Sequence, residues 1–339
     1  ETVLDIALRR NETGTYIDRL ETRSRAAEVS ARGRLSSEGG AAEVTARLMD
    51  TGVIAEGVPG PLDLSVEAEG EGEVWDVAFV LDGAVLTSTA NLQVDLAGDV
   101  PRVSGTARVR ADDVAPFGPR VGREIGGAVD LSAEGFAATD LGAFEVDLSG
   151  TVTDLATGVV EADALLTGPV EVALRGMRGT DGYELSGLAV SGAAVRAEGS
   201  GHYRSDGSGV GRVRVTLPEP GRLAPGFPGP RSLSAEAQGG PADWRLVAEV
   251  AGEGATAAAD LELGLGGGLP RAEGTLTADI ADLAPFSELA GRSVGGSLGV
   301  EVSGSGVSDL SAFDLEATVS GEDPVSYTHL TLPTSKPKC

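Results

Sequence analysis

The chain has 339 residues and a formal net charge of −26 at pH 7. A chain this acidic lacks the basic face that nucleic acid demands and the polybasic patch that draws proteins onto anionic headgroups. Apolar residues make up 41%, too many for simple disorder, yet aromatics are only 4% and glycine supplies 50 positions, so bulky globular cores are excluded and many short strands with thin aliphatic packing are favoured.

In chain order, the sequence opens in mid-pattern at Glu1, with no signal peptide and no apolar run near the ~20 residues a membrane helix needs. It therefore reads as an internal piece of a longer protein. Thr15 to Leu35 alternates as two strands, with Val29, Ala31 and Gly33 on one face, and Val44, Ala46 and Leu48 continue the pattern. A turn is expected at Gly57 to Pro61 and again at Gly226 to Pro230. Beyond it, Trp75, Val77, Phe79 and Leu81 share a face, as do Ala90, Leu92, Val94 and Leu96. Val103, Gly105, Ala107 and Val109 follow, then Val129, Leu131 and Ala133, then Phe144, Val146 and Leu148. The residues between them are largely Thr, Ser, Asp, Glu, Arg and Asn. Successive strand side chains point to opposite faces, so each strand has one dry and one wet face.

A duplication underlies this order. DVAPFGPRVGREIGGAVDLSAEG, Asp113 to Gly135, returns as DLAPFSELAGRSVGGSLGVEVSG, Asp282 to Gly304, at a constant offset of 169 residues (286 − 117 for the Phe). Both tryptophans, Trp75 and Trp244, fall on one repeat position. The blocks are read as residues 1–185 and a truncated 186–324. Residues 325–339, VSYTHLTLPTSKPKC, hold the only Cys and both Lys of the chain. They resemble the translation of a common sequencing adapter and are expected to be an assembly artefact.

Within the motif, Asp282 reads as the cap of a short helix that Gly291 stops, while Gly118 and Pro119 weaken the first copy to a turn. The expected fold is all-β: a long curled antiparallel β-meander (a β-taco, or open β-groove) with short helices or turns at repeat boundaries. One dry face per strand must be buried, and curling lets dry faces look at each other across an open groove. At ~11 residues per strand and turn, roughly 30 strands are expected.

DLAPFSELAGRSVGGSLGVEVSGSG with the following DLSAF, together with Leu185 to Gly199, resembles the repeats of the TamB (translocation and assembly module) family within the AsmA-like group of bacterial envelope proteins. The resemblance covers residues 1–324. It implies a periplasmic bridge, anchored in the inner membrane by an N-terminal helix and reaching an outer-membrane assembly partner through a C-terminal domain. Both segments would lie outside these residues. The implied activity is carriage of phospholipid acyl chains along a hydrophobic groove and support of outer-membrane protein assembly. Groove-lining residues are then Leu92, Val94, Leu96, Val129, Leu131, Phe144, Val146, Leu148, Leu261, Leu263 and Val300. The alternative is a structural or adhesive surface β-repeat protein.

No catalytic constellation, metal set or cofactor is implied. His202 sits in a turn-like stretch, Glu67, Glu69 and Glu71 alternate along one wet strand face, and the run at Gly264 lacks the Lys-Ser/Thr of a phosphate loop. Trp75 and Trp244 read equally well as packing anchors and as lipid contacts.

Overall fold

The structure, a computed structural model, describes residues 2–36, 38–49, 60–223, 229–266, 269–288, 290–309, 311–322 and 325–326. Most of the expected turns at 57–61 and 226–230, and most of the tail at 325–339, lie outside these. The described residues form an all-β antiparallel meander that does not close into a barrel. They divide into two compact units, Glu1–Ser205 and Asp206–Cys339.

The first unit holds β1 (Val3–Asn11), β2 (Gly14–Arg23), β3 (Ala27–Leu35), β4 (Gly39–Leu48), β5 (Leu62–Glu71), β6 (Val74–Gly83), β7 (Thr87–Asp95), β8 (Arg102–Ala111), β9 (Gly126–Ala138), β10 (Phe144–Ala156), β11 (Pro169–Gly179), β12 (Gly182–Ser191) and β13 (Arg196–Arg204). Each strand pairs with its successor. The second unit repeats the arrangement with β14 (Gly209–Leu217), β15 (Arg231–Gly239), β16 (Asp243–Gly252), β17 (Ala255–Gly264), β18 (Arg271–Ile280), β20 (Leu298–Val307) and β21 (Phe313–Ser320). The two-residue β19 (Val294–Gly295) pairs instead with β22 (Val325–Ser326). The meander strands number twenty among the described residues, not the thirty expected, because most are nine or ten residues long and β9 and β10 reach thirteen.

The 169-residue repeat is visible in the backbone. Gly105 and Gly274 adopt φ +146 and +156. A Cβ there would run into the carbonyl oxygens of Asn91 and Asp260 on the neighbouring strand, so only glycine fits. The repeated APF motif forms a 3₁₀ turn in both copies, at Ala115–Phe117 and Ala284–Phe286. Asp113 Oδ1 accepts from the Ala115 N–H at 2.9 Å, and Asp282 Oδ1 from the Ala284 N–H at the same distance. The helical preference is the reverse of the expected one: the first copy continues into α1 (Gly118–Val121). Gly118 takes helical angles and Pro119 sits in the first turn, where its missing N–H costs nothing.

Among the described residues, most of the buried aliphatic side chains cluster at one edge of the first unit. Ala111, Val129, Val152 and Val170 are register neighbours across β8 to β11. Val170 is fully buried and Ala111 and Val152 nearly so, as are Ala194 and Val195 in the β12–β13 turn. Three connections leave from this edge: the APF segment with α1, the one carrying α2 (Val160–Leu165), and that turn. Asp163 fastens the second by accepting from Thr157, at 2.6 Å from its N–H and 2.9 Å from its hydroxyl.

Candidate functional site: an apolar face crossed by unbroken rows

Strict alternation and in-register pairing convert the strand pattern into rows that run across the sheet. In the first unit one row passes through Ile6, Leu20, Ala31, Val44, Val66, Phe79, Ala90, Ala107, Ala133, Leu148, Leu174, Leu188 and Gly199. It crosses all thirteen strands without a polar side chain. A parallel row contains Leu8, Ile17, Val77, Leu92, Val146 and Leu185, with Gly or Ala at the other seven strands. In the second unit, Val213, Ala235, Ala248, Ala259, Leu276, Val302 and Ala317 form the corresponding row over seven strands. The residues of the first row are half-buried from Leu20 onward. The face is thus apolar without being closed over.

Ten of the eleven expected lining residues lie in strands on this face of their unit. Leu92 and Val94 are in β7, Val129 and Leu131 in β9, and Phe144, Val146 and Leu148 in β10. Leu261 and Leu263 are in β17, and Val300 in β20. Leu96 falls just beyond β7, where its N–H donates to the Glu73 carbonyl at 2.8 Å, and it is exposed. The structure therefore brings the residues of each unit onto a shared face; the expected set spans both units.

The margin of that face away from the packed edge is aromatic, of which the sequence pattern had singled out the tryptophans and Phe144 but not the tyrosines. Trp75, Val94, Val103, Ala137, Phe144, Arg178, Tyr183 and Tyr203 are consecutive register neighbours from β6 to β13. In the second unit, Trp244, Leu263, Ala272, Gly306 and Phe313 form the equivalent series. Each indole lies against a glycine on the preceding strand, Gly70 or Gly239, where a Cβ would collide with the ring. Arg178 stacks on the Tyr183 ring at 5.0 Å and donates to the Leu141 carbonyl at 2.8 Å.

The opposite face is polar and laced with cross-strand ion pairs. Arg108 grips Asp130 with two hydrogen bonds of 2.9 and 2.7 Å, and Arg245 grips Asp260 with bonds of 2.8 and 2.6 Å. Arg175 pairs with Asp147, and Arg212 with Glu236. Hydrogen bonding from the guanidinium holds Asp130, Glu236 and Asp260 below the usual carboxylate range. The Thr157 backbone does the same for Asp163. These carboxyls ionise more readily folded than unfolded, so the stabilisation is complete above the ordinary carboxylate range and is lost as pH falls through the lowered folded values. Melting temperature is accordingly expected to fall as pH is lowered from about 5 to about 2. The Asp130→Asn, Asp260→Asn double variant should show a shallower fall; identical acid limbs would remove these pairs from the account.

A cavity of about 1120 Å³ in the first unit is lined from β2 to β8, which shows the sheet there to be curled. Its side chains include Arg32, Arg34, Glu43, Glu67, Glu69 and Asp76, so this concavity opens on the polar face. Of the expected lining residues Leu92 alone contributes to it. Glu67, Glu69 and Glu71 lie exposed on one face of β5, as expected. Among the described residues no group of three His, Cys, Asp or Glu side chains could hold a metal. His202 lies within β13, opposite Glu184, and not in a turn. No helix among the described residues is long and apolar enough to cross a membrane. The chain matches no family model, no curated protein and no solved structure.

Proposed function

We propose that this chain is a lipid-bearing segment of an envelope bridge, on which phospholipid acyl chains lie along the apolar face and move from strand to strand. The observation that carries the reading is the row of thirteen apolar positions in the first unit, unbroken by any polar side chain and only half-covered. An acyl chain leaving a bilayer exposes about 0.8 kcal/mol per CH₂ to water, and a continuous aliphatic track removes much of that barrier. A lining of Ala, Val, Leu and Gly offers no hydrogen bond that would hold a lipid at one station. The resemblance to TamB repeats agrees with this reading and extends it: the bridge would run from inner to outer membrane across the periplasm and support outer-membrane protein assembly.

A second reading, a structural or adhesive β-repeat surface, is favoured by the charged cavity on the polar face of β2 to β8. One experiment separates them. Photo-crosslinking residues at Leu92, Val94 and Leu261 are expected to capture phospholipid, while those at Thr89, Asn91 and Gln93 on the polar side of β7 are not. Equal labelling of both sets would end the lipid reading.

A further inference from the structure

The apolar face has two unlike margins in the first unit. One is aliphatic and packed shut, with Ala111, Val152 and Val170 at most 6% exposed at the edge from which the helical connections leave. The other carries Trp75, Phe144, Tyr183 and Tyr203, and the two tyrosines are half exposed, at 50% and 51%. Strand aromatics off this series are few: Phe79 in the middle of the face, and Tyr16 and Phe136 on the polar side. The second unit has the same series with Trp244 and Phe313.

Indole and phenol rings have an apolar body and a polar edge, so they settle where hydrocarbon gives way to water. They mark that boundary at both surfaces of a membrane. From β5 to β13 the only charged side chain in the aromatic series is Arg178, a cation held beside Tyr183 at the wet margin. Its sign suits a phosphodiester, on a chain whose net charge of −26 would otherwise repel one.

Resting on the proposed function, we infer that the aromatic series is the lip at which the polar head of a diacyl phospholipid leaves the face. The acyl chains lie inward on the aliphatic rows, and the packed margin marks their far limit. A lipid on this surface is therefore seated with one handedness, head toward Trp75 in the first unit and toward Trp244 in the second. The indoles set against Gly70 and Gly239 put a ring at that boundary in both units.

The chain contains two tryptophans, both in the lip, so intrinsic fluorescence reads depth directly. The full chain is loaded with phosphatidylcholine brominated beside the glycerol, at mid-chain or near the terminal methyl; Trp75→Leu and Trp244→Leu variants let each unit report alone. Bromine beside the glycerol is expected to quench at least about twofold more strongly than bromine near the methyl. Equal quenching at all depths, or strongest quenching from the terminal methyl, overturns the seating while leaving lipid on the face. Absence of quenching by any brominated lipid overturns the seating and the lipid reading together.

Discussion

Val170→Asp is expected to melt the packed edge of the first unit. The Val170 side chain is fully buried, paired in register with Val152 and set against Gly192. Burying an unpaired carboxylate there costs on the order of 3–5 kcal/mol, enough to lower the unfolding midpoint by roughly 10 °C. Because each strand touches mainly its neighbours in the meander, the damage should stay local. Amide exchange should accelerate in β10 to β13 and remain near its original rate in β5 and β6. Val160→Asp is the control: Val160 is 80% exposed on α2, and its midpoint should be unchanged. Equal effects at the two sites would refute the assignment of this edge as well packed.

The second large effect concerns transport. Leu148 in β10 and Leu174 in β11 are direct register partners within the thirteen-strand row. Replacing both with Asp sets two carboxylates across the track, and an acyl chain lying there would have to desolvate them. Phospholipid transfer between donor and acceptor vesicles is expected to fall on the order of a hundredfold, the loss of a few buried CH₂ contacts plus the cost of stripping water from charge. Ser149→Asp with Ala173→Asp puts the same charges at the adjacent register pair on the polar face and should leave transfer intact. A transfer rate untouched by the Leu148, Leu174 pair would exclude this row as the path.

Much of the face was legible because alternation at period two is a one-dimensional signal. Leu92, Val94, Val146 and Leu148 needed only their spacing to be put on one side, and in-register pairing did the rest. What failed was whatever depends on angles or on the third dimension. Glycines at 199 and 201 read as turn signals around His202, yet they lie in β13, where small residues cross the apolar face. Gly118–Pro119 reads as a helix breaker, but a first-turn Pro needs no N–H partner, and the four-residue helix forms in that copy. The polar cavity over β2 to β8 comes from the curl of the sheet, and no residue pattern encodes where a curl turns inward. The aromatic margin was encoded, but only register reveals that Phe144, Tyr183 and Tyr203 stand in one line with Trp75.

The thirteen-strand row also sets a limit on discrimination. At ~4.8 Å per strand it extends roughly 60 Å within the first unit. Along it the side chain changes only among Gly, Ala, Val, Leu, Ile and Phe. The free-energy profile met by a hydrocarbon tail is therefore shallowly corrugated, with steps set by a methyl or two and no well deep enough to arrest it. Such a surface cannot tell one saturated chain from another of similar length. On the proposed lipid reading, any selectivity would be exercised on the head, or at the ends of the path, and traffic along the rows would follow whatever gradient of occupancy is imposed on them.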